Sequence, residues 1–587
     1  MGYRGWMKKW QAVIFWVIAI AFLVGVIWWS VGLYVSSRKG KQSSTIDTSI
    51  AYLTKDGTAV KNPTYWVFPA ELQDRFTQYE NMVRMYYGQE LDPIFDEPLY
   101  KAHILKQLMA EKVLLYYANE NGIKVLKKDV DAKLNDYRKQ IEKNENYLNY
   151  VKRNYGSVDR YLTVIRKDVE TSMIVNKVRD MVSEISEDEL RAYYNKHKDN
   201  IKKEYSSVDT KIATFDMSDE ATANKFIELA KKEGFTKAAT DMNLHPFDFT
   251  IKKGTVPDDI VQAIFEATPG EIVGPFKYES IGNLLVVKVL SKKVIDSYGD
   301  FKSSDAYSEI KQKLSNEKFQ KWYKDYVKKE KLSFNINDEE LKYWHSYIEN
   351  YKNKHALLKL YDELDKIVFM EGQLNTDLSD LLKALYVVLL EDQEKDLQNY
   401  KLYISMGDKI TDEEKKELAE LKKLYGELKK EDIEKKLKEL KDKEKKVVRF
   451  LYDTYRTSMG IVQRAAKLFP DDPQVLYDYY HLQYESMKSM IPYAKYDQRM
   501  MYSIMQTIMG LYSVYMSEKA STDLKFDAIY DVYELYKIMG DATSASSVLS
   551  EMKEKFPDRL EYDVEFQQLQ DMISSEGTTE ESSPATK

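Results

Sequence analysis

Histidines and their neighbours come first among residues that could do chemistry, because the chain contains no cysteine. It therefore forms no disulfide, thiol nucleophile or Cys-ligated zinc site. His245 lies three residues before Asp248, and the two are a candidate acid–base pair; a solvated loop histidine beside Pro246 is the plainer interpretation. Lys211 is a second candidate donor, or else an edge-strand lysine that keeps a sheet soluble.

The other histidines do not build a recognisable site. They lie far apart in sequence, and no pair has the spacing of a metal-binding helix. The six positions are His103, His197, His245, His345, His355 and His481. Glycine-rich phosphate loops, dinucleotide-binding turns and nucleophile elbows are also missing from the sequence. The sequence predicts neither a metal nor a cofactor.

The charge balance excludes another class of protein. Lysine and arginine number 88 and aspartate and glutamate 95, for a net charge of −7 spread over 587 residues. A nucleic-acid binder would show a basic stripe of one sign. The length predicts about three or four domains.

A membrane anchor is predicted near the N-terminus. Residues Ala12 to Val35 carry no charge and are flanked by lysines and arginines on both sides. As a helix the run would measure about 36 Å, which exceeds the ~30 Å hydrocarbon core of a bilayer. We expect residues 1–11 in the cytoplasm and the bulk of the chain outside it, although the flanking charges hardly decide the orientation.

Amphipathic helices follow a linker at residues 36–50. A small hairpin is expected over Ala51–Val67, around the turn dipeptide Asp56-Gly57. Apolar residues then recur at three- and four-residue steps, which indicates helices. The expected helices begin at Pro69 and then cover about 97–121, 127–146, 157–183 and 187–203. Ser186 and Glu189 have the spacing of a capping box.

The pattern changes at Val208, where a small sheet is expected. Strands are predicted at Val208–Asp216, Ile272–Glu279 and Asn283–Val294, the last an apolar run typical of a buried strand. Helices are predicted between them, near 218–232, 235–242 and 257–266. A longer helix at about 304–331 follows the sheet.

These segments resemble a known family. Ile104-Leu105-Lys106-Gln107-Leu108-Met109 and Ala118-Asn119-Glu120-Asn121-Gly122-Ile123-Lys124-Val125 look like a SurA-type chaperone helix and its exit turn. Gly254-Thr255-Val256-Pro257, Ala263-Ile264-Phe265 and Pro269-Gly270-Glu271-Ile272-Val273-Gly274-Pro275 look like a parvulin domain. The order of the parts is similar to the SurA/PpiD/PrsA family of extracytoplasmic foldases.

The resemblance implies a domain layout. The expected fold class is mainly α, with a small α+β parvulin-like domain at 208–294. The SurA-like helical chaperone domain would comprise residues 51–207 and 295–335. It would follow the single transmembrane helix at 12–35.

The resemblance also implies an impaired active site. The family places one histidine in the first strand and another in the last, and these positions fall on Lys211 and Leu285. The glycine-rich loop of the family is replaced by the shorter Asn243–Lys253, which contains no glycine. We therefore expect weak or absent prolyl isomerisation. Pro257, Ile260 and Phe265 are the candidates for a residual prolyl cleft, although core packing explains the last two nearly as well.

The C-terminal region is predicted to be helical throughout. Residues 336–573 look like a helical-hairpin solenoid similar to tetratricopeptide repeats, with Phe469-Pro470-Asp471 and Phe556-Pro557-Asp558 at helix boundaries. A charged helical hairpin is expected over Asp408–Lys446, with Thr411 and Glu414 as a second capping box. The tail at 574–587 is rich in Ser, Thr and Glu and is expected to be disordered.

The function expected from these features is chaperoning. A single-pass protein of the inner membrane would bind unfolded or newly translocated polypeptides on the periplasmic side. Its expected contacts are lipid through Ala12–Val35, and the translocon or another envelope protein through the repeat-like region. Two alternatives stay open: an active parvulin-type isomerase, and a repeat scaffold for envelope assembly that binds no clients.

Overall fold

The computed structural model describes residues 46–87, 90–488, 491 and 498–579. The predicted anchor at Ala12–Val35 lies outside the described residues. Among the helices that the structure does describe, none is both long enough and apolar enough to span a bilayer. The described part is mainly helical with small sheets, as the sequence predicted.

Helices account for most of the described chain. In chain order they are α1 Pro69–Tyr87, α2 Asp96–Glu120, α3 Lys127–Lys143, α4 Glu145–Tyr155, α5 Val158–Ser183, α6 Glu187–Tyr205, α7 Glu220–Glu233, α8 Phe235–Asp241, α9 Asp258–Glu266, α10 Tyr298–Lys302, α11 Asp305–Lys329, α12 Glu339–Asn350, α13 Lys354–Val368, α14 Asp380–Met406, α15 Asp412–Tyr425, α16 Lys430–Thr454, α17 Met459–Leu468, α18 Pro473–Met487, α19 Gln498–Met516, α20 Thr522–Met539, α21 Ala542–Lys555 and α22 Tyr562–Thr579.

The strands are short apart from two. They are β1 Ala51–Lys55, β2 Thr58–Ala59, β3 Trp66–Val67, β4 Ser207–Asp216, β5 Phe247–Ile251, β6 Ile272–Tyr278, β7 Asn283–Lys293, β8 Leu332–Ile336, β9 Phe369–Met370 and β10 Gln373–Leu374. The predicted hairpin around Asp56-Gly57 is confirmed as β1 and β2, while β3 and β8 also pair with β1.

Local capping chemistry explains where several helices begin and end. Both predicted capping boxes are present: Ser186 accepts from the backbone N–H of Glu189, and Thr411 accepts from that of Glu414, each with the return bond from the glutamate. The helix predicted over 127–146 instead ends at Lys143. Asn144 interrupts it because its side chain accepts a hydrogen bond from the N–H of Tyr147 and so starts a new helix.

The described chain divides into two compact units. The first comprises residues 54–59 and 113–333, and the second comprises 46–53, 60–112 and 334–579. The division therefore falls within α2, and it cuts across the segment 51–207 that the sequence assigned to one helical domain. Whether 51–207 and 295–335 act together as a single chaperone domain stays a prediction.

The first unit contains the predicted small α+β domain. Its sheet is antiparallel with the strand order β5-β4-β7-β6. Helices α7 and α8 cover one face, where they pack on Ala213, Phe215 and Val286. Helix α9 covers the other face, where it packs on Ile212 and Leu285.

Strand β5 is a correction to the sequence analysis, which treated Asn243–Lys253 as a loop. Phe247, Phe249 and Ile251 alternate with polar residues, a period of two that favours a strand. The strand pairs with the first half of β4, from Val208 to Ile212. As a result β4 is an inner strand, and the interpretation of Lys211 as an edge-strand lysine is wrong.

Helices fill the rest of the first unit. One cluster joins α2, α5 and α11 through Leu114, Ala118, Val178 and Phe319. A second joins α6, α10 and α11, with Phe301 fully buried at its centre.

Three apolar cores lie in the second unit among the residues that the structure describes. The first packs β1 and β3 against α1 and α2, and the second, around Trp344 and Tyr386, joins α12 to α18. The third joins α18 to α22. Helix α22 extends to Thr579, so residues 574–579 of the tail that was expected to be disordered are helical, and residues 580–587 lie outside the described part.

Candidate functional site

The two strand positions predicted for family histidines are not brought together by the sheet. Lys211 lies in β4 and Leu285 in β7, and these strands pair so that Ile212 faces Val287 and Thr214 faces Leu285. Leu285 packs in the α9-side core together with Ile212. Because successive side chains of a strand point to opposite faces, Lys211 lies on the other side of the sheet from Leu285.

Lys211 instead forms an ion pair with the neighbouring strand. Its Nζ lies 3.5 Å from Oδ1 of Asp248, which is its direct cross-strand partner in β5. The Asp248 side chain is 72% exposed, so water screens the pair and its contribution to stability is about 0–1 kcal/mol. This contact pairs two side chains across a sheet and places neither of them in a cleft.

No hydrogen bond or ion pair joins His245 to Asp248 in the described part of the chain. His245 is exposed in the turn between α8 and β5. Asp248 is engaged by Lys211 as described. The geometry favours the solvated-histidine interpretation, and a catalytic role for either residue stays a prediction without a supporting contact.

The three residues predicted for a prolyl cleft differ in what they expose. Pro257 is exposed where it precedes α9, and Ile260 is 1% exposed inside the core. Phe265 is half-buried against the same core. Of the three, Phe265 alone has an aromatic side chain that is partly exposed and packed against this core.

Residues that the sequence analysis missed complete an apolar rim on the α9 side. These half-buried side chains pack around the same core as Phe265, and they come from β5, α9 and β6. They are Phe249, Val261, Val273, Phe276 and Tyr278. The alternation of Phe247, Phe249 and Ile251 was the signal that could have revealed the β5 contribution.

One buried polar group of this face is already committed to the backbone. Thr210 lies on the α9 side, two residues from Ile212, and is 1% exposed. Its hydroxyl donates a hydrogen bond to the Phe249 carbonyl at 2.7 Å. Two further hydroxyls lie on this face, those of Thr214, the cross-strand partner of Leu285, and of Tyr278 on the rim. The face is otherwise apolar, and neither Thr210 nor Leu285 carries an imidazole.

Two further features hold the sheet in place. Asp209 ties three strands, because its carboxylate accepts hydrogen bonds from Thr250 of β5 and Ser291 of β7 and pairs with Lys293 at 3.3 Å. Burial raises the pKa of Asp209, but these three donors outweigh burial and hold it below its usual range. Gly274 has φ +117°, and a Cβ there would lie 2.6 Å from the Leu285 carbonyl oxygen, so β6 approaches β7 closely.

Metal ligation has no support in the described residues. Among them, no group of three or more histidine, aspartate or glutamate side chains is arranged to hold a metal ion.

Two family models match the N-terminal half of the chain. Residues 4–177 match the SurA-like N-terminal domain, and residues 185–296 match the PPIC-type peptidyl-prolyl isomerase domain. The N-terminal half of the chain resembles the SurA/PpiD/PrsA family. The segment that matches the PPIC-type model contains the sheet of β4 to β7 with α7 to α9. No curated protein matched the chain in the sequence comparison.

Solved structures of family members are similar to about half of the chain. A SurA-like chaperone of Campylobacter jejuni is 15% identical, with 49% of this chain and 98% of that chain covered and a TM-score of 0.20. The PrsA foldase of Lactococcus lactis is 15% identical, with 48% of this chain and 93% of that chain covered and a TM-score of 0.20. PrsA of Bacillus subtilis is 18% identical, with 49% of this chain and 96% of that chain covered and a TM-score of 0.17. TM-scores this low carry no argument, so the assignment depends on the two family models.

Proposed function

We propose that this protein is a membrane-anchored extracytoplasmic chaperone that binds unfolded or newly translocated polypeptides, and that its PPIC-type domain is catalytically impaired. The observation that carries the second part is the α9 side of the sheet. Its strand positions hold Thr210, Ile212, Thr214 and Leu285, none of them a histidine, and its rim is mainly apolar but includes the Tyr278 phenol. Isomerisation must lower a barrier of about 18–20 kcal/mol, which requires accurately placed polar groups.

An exposed apolar stripe supports client binding in the second unit. Tyr502, Met505, Met509 and Met516 lie on one side of α19 and are 67%, 42%, 68% and 73% exposed. The opposite side of the helix packs into the core through residues such as Leu511. Methionine and tyrosine side chains adapt to varied apolar partners, which suits a protein that grips many sequences.

The C-terminal helices are proposed to form a repeat-like stack that binds a partner. Helices α17 to α22 each pack against the next one along the chain. Gly540 ends α20 in the left-handed conformation, as expected for a tight turn between paired helices. Such a stack supports the proposal of a docking region for the translocon or another envelope protein.

The proposed anchor is Ala12–Val35, in contact with lipid and with the N-terminus in the cytoplasm. Tethering beside the membrane would raise the local concentration of the chaperone near emerging chains. The test is proteolysis of cells stripped of their outer layer. We expect loss of the large C-terminal part and retention of a small membrane fragment; full protection of the C-terminal part would contradict the proposed orientation.

The chaperone function is tested by aggregation of an unfolded client protein. The wild-type protein should suppress light scattering, and a Met505→Glu/Met509→Glu variant should suppress it less because charge is placed on the stripe. The matched control is Tyr351→Glu/Met370→Glu, which changes two exposed apolar residues outside it. Equal protection by both variants would exclude the stripe, and no protection by the wild-type protein would exclude the chaperone.

A protease-coupled assay on a proline-containing peptide tests the impaired domain. We expect a rate close to the uncatalysed one. Efficient catalysis would instead support the alternative of an active parvulin-type isomerase. One stable cross-linked partner together with no protection of clients would support the scaffold alternative.

A further inference from the structure

An open cleft of about 500 Å³ lies in the second unit, far in sequence from the PPIC-type domain. It is bounded by one face of α16 and by the turn that joins α17 to α18. Lys441 and Lys445 lie one helical turn apart on α16, so both side chains point to the same side. Lys467, in the last turn of α17, is the third lysine of the lining.

The three lysines carry positive charge that the protein itself leaves largely uncompensated. Lys441 and Lys467 are exposed and Lys445 is half-buried. Within the described part of the chain, none of the three ammonium groups forms an ion pair or a hydrogen bond. Lys441 acts on Glu444 only through its charge, as one of two weaker influences that lower the pKa of that buried carboxyl.

Of the two acidic residues in the lining, one is already occupied. Asp472 pairs with Arg449 at 2.8 Å and accepts hydrogen bonds from the N–H groups at the start of α18. Asp471 is exposed at the rim. The cleft therefore presents three ammonium groups and one available carboxylate.

The remaining lining is apolar. Leu468 is buried, Phe469 is half-buried and Pro470 is exposed, and together they separate Lys467 from the acidic residues of the turn. The guanidinium of Arg449 lies 5.7 Å from the centre of the Phe469 ring, which helps to fix that ring in position. Charged and apolar groups thus lie side by side in one opening.

We propose that this cleft binds an acidic segment of a polypeptide in which glutamate or aspartate alternates with apolar side chains. The lysines would pair with the carboxylates, while Leu468, Phe469 and Pro470 would contact the apolar residues. Asp471 would accept a hydrogen bond from a peptide N–H group. A polyphosphate or an anionic lipid surface fits less well, because it has no N–H donor for Asp471 and no side chain for the apolar residues.

This site rests on the proposed docking role of the repeat-like stack, because α17 and α18 belong to that stack, but it goes beyond the proposed chaperone function. It lies outside the α19 stripe and outside the PPIC-type domain, and neither client protection nor isomerisation requires it. The test therefore measures peptide binding and client protection separately, so that failure of one proposal is distinguished from failure of the other.

The experiment uses the full chain in detergent and a fluorescent peptide of alternating glutamate, leucine and phenylalanine. A Lys441→Gln/Lys445→Gln/Lys467→Gln variant should bind about tenfold more weakly, since each partly exposed charge pair contributes modestly. The matched control, Lys430→Gln/Lys435→Gln/Lys436→Gln, removes three exposed charges of α16 outside the cleft and should change affinity by less than about twofold. Lys467→Gln alone, at an exposed position, is the milder variant if the triple variant does not fold.

Three comparisons decide the outcome. A peptide with glutamine in place of glutamate should bind weakly, and polyphosphate or anionic vesicles should compete poorly. Equal loss in the cleft and control variants would overturn the proposal by showing non-specific attraction, as would stronger binding of polyphosphate or vesicles. Client protection should be unchanged in the cleft variant; its loss together with peptide binding would overturn the proposal of a separate site.

Discussion

Asp92 is predicted to be the main local link between the start of α2 and the start of α17 in the second unit. Its Oδ1 accepts hydrogen bonds from the N–H groups of Ile94 and Phe95, at 2.9 and 3.1 Å. Its Oδ2 accepts from the Ser458 hydroxyl at 2.6 Å and from the Gly460 N–H at 2.8 Å. One carboxylate thus accepts hydrogen bonds at the N-termini of two helices. Asp92 and Ser458 are 366 residues apart in the sequence.

The Asp92→Ala substitution removes all four of these bonds. Loss of a capping side chain costs about 1 kcal/mol at one helix, and the carboxylate serves two. Its charge adds about 0.3–1 kcal/mol at each N-terminus. The donors regain water only in part, because Phe95 and Ser458 are buried. We therefore expect a loss of about 2–4 kcal/mol in the stability of this region.

Hydrogen–deuterium exchange is the suitable measurement because it reports on each segment separately. A loss of about 2 kcal/mol corresponds to roughly 30-fold faster exchange in residues 94–98 and 459–463. The matched control is Asp219→Ala, which removes a single cap from α7 in the first unit. Its effect should be confined to α7.

The prediction can be refuted in two ways. Unchanged exchange at the start of α17 in Asp92→Ala would show that the link to Ser458 and Gly460 contributes nothing. Faster exchange in α17 upon Asp219→Ala would show that the two effects are not local. Asp92→Asn keeps one acceptor oxygen and should fall between wild type and alanine.

Three further predictions concern stability. Gly274→Ala should destabilise the PPIC-type domain by about 1–3 kcal/mol, because the new Cβ would lie 2.6 Å from the Leu285 carbonyl oxygen and the backbone has positive φ there. Thermal unfolding measures this, and an unchanged melting temperature would contradict it. Asp209→Asn should be less stable than wild type at pH 7. Because the pKa of Asp209 is lowered in the folded protein, the difference in unfolding free energy between the two should shrink as the pH falls below about 4. A difference that grows on acidification would contradict the lowered pKa. Burial and the nearby Glu394 and Glu391 raise the pKa of Glu444 to about 7. In urea unfolding, Glu444→Gln should therefore have no effect near pH 4, where the carboxyl is protonated, and should stabilise the protein by about 2 kcal/mol at pH 8. The same difference between variant and wild type at both pH values would refute this prediction.

Local patterns predicted much of the secondary structure. The capping boxes at Ser186 and Thr411 and the strands β4 and β7 follow from sequence neighbours alone, and the structure confirms them. Strand β5 was missed because its segment was interpreted as a glycine-free replacement of the family's active-site loop. Its own alternation of apolar and polar residues was the better signal.

Contacts between distant residues could not be predicted from one sequence. The bond between Asp92 and Ser458 joins segments with no shared motif, and nothing local to either residue indicates its partner. The same is true of the cleft formed by Lys441, Lys445 and Lys467, whose lysines lie within ordinary charged helix surfaces in the sequence. Charge runs predict solvated faces, and the fold decides which of those faces meet.

At the candidate site, a sequence motif predicts which strand a residue belongs to but not the face of the sheet to which its side chain points. A strand reverses the direction of its side chains at every residue, so an alignment that is displaced by one position exchanges the two faces of the sheet. Lys211 and Leu285 were placed by order and lie on opposite faces, whereas Thr210 shares the face of Leu285. Thr210, Lys211 and Leu285 all lack an imidazole, so the proposal of impaired catalysis does not depend on which alignment is correct.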